Sequence, residues 1–286
     1  MGDVAMTVPV VYSLAQQYPH VRVTVLSRSF ARPFFEHLAS NVGFMEADIK
    51  KEYKGVKGLN ALYRRLIAKN FTAVADFHDV LRSKYLRMRF NLGQYKVAHI
   101  NKHRAGKCRL TAIHGKQLVQ QPTSFQNYAD VLARLGYPVK LNFKSIFPDG
   151  GGNIRLLPTH IIGEKKKFQQ WIGIAPFAAH EGKIYPPQLM SAVIGLLIRR
   201  HPSCRIFLFG GGEKEKKVLD EWAAHYLNCI NASAALHGLE EELILMSHLN
   251  VMVSMDSANM HLASLTATPV VSCLLYTSPS PRDMRR

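Results

Sequence analysis

The sequence predicts an α/β protein built from two nucleotide-fold domains with parallel sheets facing one cleft. Three observations predict it. The first is a strand-to-helix junction at Asp256-Ser257-Ala258-Asn259-Met260-His261-Leu262-Ala263, which follows the apolar run from Leu249 to Met255. A helix start at the carboxyl end of a parallel strand presents unpaired backbone N–H groups and suits a phosphorylated ligand. The second is a similar junction at the other end, Gly2-Asp3-Val4, with a glycine turn, a carboxylate and then a helix. The third is the alternation of strand and helix patterns along the whole chain.

Each element has its own signal. Apolar positions at Val4, Val8, Val11 and Ala15 predict a helix over 3–17, kinked at Pro9 because proline cannot donate to the Ala5 carbonyl. Strands are expected at 21–26, 44–45, 71–77 and 95–100, and helices at 34–39, 59–68 and 125–135. The stretch 147–167, with Pro148-Asp149-Gly150-Gly151-Gly152 and the charged run Glu164-Lys165-Lys166-Lys167, reads as a boundary. The pattern then restarts. Strands are expected at 171–175, 204–209, 249–255 and 269–272, and helices at 187–200, 213–227, 240–247 and 257–265, the first of these with proline in its first turn. This gives domains at 1–160 and 168–272.

Composition narrows the classes. At 286 residues with 47% hydrophobic content the chain can bury two cores. No apolar run reaches the ~20 residues needed to span a bilayer. The cysteines Cys108, Cys204, Cys229 and Cys273 are scattered without a CxxC pair, which fits a reducing compartment and offers no zinc site. The net charge of +17 is concentrated: residues 50–116 hold 17 Lys/Arg against three acids, a surplus of 14. Such a stretch serves a polyanion, or is a solvated face.

Candidate residues carry two readings each. Asp3 either caps its helix or acts as a general base at the cleft mouth. Gly210-Gly211-Gly212 lacks the dinucleotide spacing and is a turn or a close approach to ligand. Glu213 either accepts ribose hydroxyls or complements the helix dipole. Lys183 faces water or neutralises a diphosphate. Ser257 and Asp256 cap a helix or hold donor. His261 is a structural histidine or a site residue. Asp76, His78 and Asp79 at one strand end lack a matching metal cluster.

Taken in order, these segments resemble the heptosyltransferase family of glycosyltransferases, which build the inner core of lipopolysaccharide. Gly2-Asp3-Val4 with Met6-Thr7 and Pro9 is similar to its opening motif, and Asp76-Phe77-His78 with Arg82-Ser83 to its mid-domain strand end. Lys183 with Tyr185-Pro186 is similar to its lysine–aromatic–proline loop. Asp256-Ser257 with His261-Leu262-Ala263 and Thr268-Pro269 resembles its closing donor motif. The resemblance covers 1–272 and implies the GT-B architecture, with an acceptor-binding Rossmann-like domain followed by a nucleotide-sugar-binding one. It implies inverting transfer from a nucleotide-heptose, ADP-linked by analogy, without cofactor or metal. Asp3 would then be the base and Lys183 the stabiliser of the leaving diphosphate. Glu213 would contact the nucleoside and Asp256 the sugar hydroxyls. Ser257, Ala258, Asn259 and His261 would surround the phosphates, and Arg82 and Ser83 the acceptor. Ala178-Ala179 and Tyr185 depart from the family's hydroxyl and tryptophan positions and leave the donor open.

The partners expected are a nucleotide-sugar and an anionic glycolipid, not nucleic acid, in a cytoplasmic protein peripheral on the inner membrane. A nucleotide-sugar epimerase of the same fold, or a basic nucleic-acid-binding protein, are the alternatives. Residues 273–286 resemble a translated sequencing adapter, and no strand precedes Gly2. Both ends are therefore expected to be truncated, and the chain itself to be marginally stable and inactive.

Overall fold

The computed structural model describes residues 1–49, 51–148, 150–168 and 170–273. They form two units. One comprises residues 6–143, the other residues 1–5 with the described residues from 144 onward.

The first helix, α1 (Gly2–Ala5), ends where Met6 and Thr7 interrupt the helical pattern, and α2 (Val8–Gln17) restarts it. The expected kink is thus a break one turn earlier. Pro9 lies in the first turn of α2, where a missing N–H costs nothing.

The unit of residues 6–143 carries two parallel strand pairs, β1 (Val23–Ser27) with β2 (Val42–Glu46), and β3 (Ala73–Asp76) with β4 (Lys96–His99). Between them run α3 (Arg32–Phe35), α4 (Gly55–Ile67) and α5 (Leu81–Leu92), followed by α6 (Arg104–Leu110) and α7 (Ser124–Arg134). A capping box starts α7: Thr123 Oγ1 accepts from the Gln126 N–H at 3.2 Å, and Gln126 Oε1 accepts from the Thr123 N–H at 2.7 Å. Val10 and Leu14 of α2 pack with Tyr128, Val131 and Leu132 of α7. A second cluster joins Leu62, Tyr63 and Leu66 of α4 to Met45 and Phe90. Each fully buried aliphatic side chain of this kind stabilises by roughly 1.5–3 kcal/mol. Helix α5 lay outside the sequence expectation because only Phe90 of its 12 residues is buried, so it has no apolar stripe to read.

The other unit begins at residue 144, upstream of the boundary expected from the glycine cluster. The expected linker is tied into this unit. The Ile146 N–H donates to Leu265 O at 2.9 Å, the Gly152 N–H to Ser247 Oγ at 2.8 Å, and His248 Nε2 lies 2.7 Å from Gly152 O. The charged run closes α8 (Thr159–Lys167), with Lys165 and Lys167 exposed. There Glu164 pairs with Arg205 at 2.9 Å, and Lys165 Nζ lies 4.4 Å from the Trp171 ring centroid. Partial burial lowers the Lys165 pKa.

This unit holds β5 (Gln170–Ala175), α9 (Pro187–Arg200), β6 (Cys204–Leu208), α10 (Glu213–His225) and β7 (Cys229–Asn231). Next come α11 (Ala232–Ala235), α12 (Leu239–Ser247), β8 (Val251–Met255), α13 (Ala258–Leu265) and β9 (Val270–Cys273). All five strands are parallel, in the order β7-β6-β5-β8-β9. That order is doubly wound: successive strands run outward on one side of β5, then the chain crosses to β8 and runs outward on the other. The near-continuous apolar runs of β5 and β6 follow from burial on both faces, and Ile174, Ile194, Ile206, Leu208 and Met255 share one core.

Candidate active site

Open α/β sheets bind ligands outside the carboxyl ends of the two central strands, where the winding reverses. Here those strands are β5 and β8. The chain leaving β5 passes through a short helical turn, Glu181–Lys183, before Pro186 and Pro187 start α9. The chain leaving β8 reaches Asp256 and then α13. The structure brings the two together: Lys183 Nζ donates to Asp256 Oδ2 at 2.7 Å. Beside them the Tyr185 N–H faces Met255 Sδ at 3.3 Å, fastening the lysine loop to the end of β8.

Helix α13 starts without help from its flanking hydroxyl. Ser257 is extended, at φ −138° and ψ 179°, and its side chain makes no capping bond to the helix. Its Oγ lies 3.3 Å from Ser254 Oγ instead. A helix start of this kind, at the carboxyl end of a parallel strand, suits a phosphorylated ligand.

The sequence placed Asp3 in the front domain. The structure places residues 1–5 in the same unit as Lys183 and Asp256. Helix α1 packs against α13. The contact is close because residue 2 has no side chain: a Cβ there would stand 2.9 Å from His261 Cδ2 and 3.9 Å from Ala258 Cα. Asp3 is exposed and lies within the first turn of α1, one residue past its start. His261 is the side chain that lies against the Gly2 backbone.

The triple glycine forms a closed turn. Gly212 adopts φ +85° at the start of α10, a conformation natural to glycine. The Gly210 N–H donates to Ser233 Oγ at 2.8 Å, and the Gly211 N–H to Glu215 Oε2 at 2.7 Å. Glu215, not singled out from the sequence, is the acid that holds this turn. Glu213 opens α10 with an exposed side chain.

In the unit of residues 6–143, Ser83 is engaged locally. Its Oγ accepts from the Val80 N–H and donates to the Val80 carbonyl, both at 3.0 Å, at the start of α5. Arg82 beside it is exposed. The carboxylates Asp76 and Asp79 are bridged by Arg87, which no motif marked: Arg87 Nη1 lies 3.2 Å from Asp76 Oδ2 and 3.1 Å from Asp79 Oδ1. Asp76 Oδ1 also accepts the His78 and Asp79 N–H groups at 2.9 and 3.0 Å. Burial alone would raise the Asp79 carboxyl. The charges of Lys84 and Arg87, with the Arg87 hydrogen bond and His99, outweigh it and hold the pKa below its ordinary value. Among the described residues no group of three His, Cys, Asp or Glu side chains could hold a metal ion.

A second residue invisible to motif reading is Glu242 on α12. Burial pushes its carboxyl up to about 7, so it takes up a proton near neutrality.

The parallel α/β units match the GT-B fold of solved glycosyltransferases. The family model of glycosyltransferase family 9 (heptosyltransferase) matches residues 59–285, and the chain belongs to that family. It is therefore a glycosyltransferase. Among solved structures it is similar to the E. coli heptosyltransferase WaaC with ADP-2-deoxy-2-fluoro heptose, at TM-score 0.70 and 18% identity over 98% of this chain and 87% of that one. It is similar also to the E. coli ADP-heptose lps heptosyltransferase II, at 0.64 and 17% over 96% and 81%. A putative UDP-N-acetylglucosamine 2-epimerase from Listeria monocytogenes shares the fold at 0.59 and 12% over 98% and 77%. No curated protein matches the sequence.

Proposed function

We propose that this glycosyltransferase moves a heptose from an ADP-linked donor to a phosphorylated lipopolysaccharide core acceptor, with inversion. The observation that carries the reading is the Lys183–Asp256 pair at the sheet's reversal point, on the unit that also holds α1 and the start of α13. The donor diphosphate binds at the N–H groups of Ser257 to Met260 and draws Lys183 from Asp256, leaving that carboxylate to accept sugar hydroxyls. Lys183 is 43% exposed, and an ion pair with one member that open to solvent is worth about 1 kcal/mol or little more, so the exchange costs little. Asp3 removes the proton from the acceptor hydroxyl, whose oxygen then attacks the anomeric carbon. The bond to the diphosphate breaks, and Lys183 with the α13 dipole stabilises the charge leaving on ADP. Glu213 and His261 border the donor, and Arg82 and Ser83 belong to the acceptor side.

The surplus of 14 positive charges over residues 50–116 suits a phosphorylated glycolipid at the cytoplasmic face of the inner membrane. No described helix is long and apolar enough to cross a membrane. An epimerase would leave that charge without use.

Donor binding tests the reading. ADP-heptose at a hundred times its Kd should raise the melting temperature by several degrees, corresponding to about 2.7 kcal/mol. UDP-N-acetylglucosamine and duplex DNA should not. Protection by either of these two and not by ADP-heptose overturns the proposal.

A further inference from the structure

The segment after α6 has chemistry that the donor site does not use. Residues 80–129 contain ten Lys/Arg and no Asp or Glu. Within them the chain leaves α6 at the buried Leu110 and makes a closed excursion. The Gln117 N–H donates to Arg109 O at 3.2 Å and draws the two ends together. Gly115 turns the loop at φ +65°, and Thr111 Oγ1 donates to Lys107 O at 3.2 Å. The return segment is seated on α6, where a Cβ on Gly106 would meet the Gln121 side chain. The excursion is therefore a shaped projection anchored at both ends.

Its surface is apolar in the wrong place for a water-facing loop. Ile113 at the apex is 92% exposed, and Leu118 and Val119 on the return are 71% and 60% exposed. Single exposed apolar residues are ordinary, but three within seven positions call for a partner. Exposed Arg104, Lys107, Arg109 and Lys116 flank them. Residues 96–124 include no Phe, Tyr or Trp, so the projection lacks the stacking rings with which proteins hold single-stranded nucleic acid. Aliphatic tips ringed by cations match the interface of an anionic bilayer, where the tips enter the acyl boundary and the cations meet the headgroups.

We propose that residues 109–119 insert into an anionic phospholipid surface and hold the enzyme where its acceptor lies. In its choice of partner this rests on the glycolipid reading above. Vesicle binding is measured without donor or acceptor sugar, so the two can fail separately.

The test is cosedimentation of the full chain with phosphatidylglycerol vesicles and with phosphatidylcholine vesicles. The protein should bind the anionic vesicles at least tenfold more strongly. The combined variant Ile113→Ser, Leu118→Ser, Val119→Ser should lose at least tenfold of that binding with an unchanged melting temperature, because none of the three side chains is buried. Ile113→Ser alone should lose a smaller share, and Lys107→Glu with Lys116→Glu should remove the preference for anionic lipid. Equal binding by parent and triple variant overturns the proposal, as does equal affinity for the two vesicle types, or binding to DNA in place of vesicles.

Discussion

Lys183 and Asp256, 73 residues apart in sequence, form a 2.7 Å ion pair at the point where the winding of the parallel sheet reverses. Asp256 is well covered, its side chain 14% exposed, while the lysine is 43% exposed. The carboxylate is the more covered member of the pair and the lysine the more exposed one.

Lys183→Met should therefore weaken ADP binding by about 10–100-fold, the value of a charge-assisted hydrogen bond. Asp256→Asn should leave ADP binding intact or slightly tighter, and remove the extra affinity contributed by the heptose. Isothermal titration with ADP and with ADP-heptose separates the two. Loss of ADP binding in Asp256→Asn would count against this division of roles.

Asp3 is expected to act on the proton and not on the donor. Asp3→Asn should leave ADP-heptose binding within about twofold while slowing ADP release on transfer by about a hundred-fold or more. Unimpaired transfer removes Asp3 from the mechanism.

Gly2 should tolerate no side chain while His261 stands beside it. Gly2→Ala should cost about 1 kcal/mol by overpacking the contact with α13, and His261→Ala should relieve that cost. A double-mutant cycle on thermal melts measures the coupling. Additive effects would mean that the contact carries no energy.

Arg87 holds two carboxylates at a strand end, so its removal takes that cation from Asp76 and leaves Asp79 with Lys84 at 4.0 Å. Arg87→Met should destabilise the unit by about 3 kcal/mol, and Asp79→Asn in the same background should recover part of it. Urea unfolding gives both numbers.

Glu242 makes stability fall with rising pH. Its folded pKa of about 7 lies above the ordinary 4.5, so between these values the folded chain binds more protons than the unfolded one. Stability contributed by the protonated form is complete below about pH 4.5 and lost as pH rises through 7. The loss is about 3 kcal/mol by pH 8. Glu242→Gln should flatten melting temperature against pH over that window. Asp79 works in the opposite direction: its depressed pKa gives stability that is present above the ordinary carboxylate value and lost on strong acidification.

The sequence by itself determined the α/β alternation, the parallel strands and the junctions at Lys183 and Asp256. Apolar runs ending in turn residues are local signals, and burial on both faces leaves little else for such runs to be. It also reported the concentration of positive charge, which needs no structure to count. The tertiary structure decided what local pattern could not reach. It assigned residues 1–5 to the later unit, because a missing side chain at Gly2 lets α1 rest on His261 across 259 positions of sequence. It turned the charged run at 164–167 from a linker into a helix end, because Arg205 and Trp171 lie where Glu164 and Lys165 meet them. It found Arg87 between two carboxylates on a helix with no apolar stripe, and Glu215 on the glycine turn. Periodicity records which face of an element is buried; which polar side chain meets which is fixed only when distant elements pack.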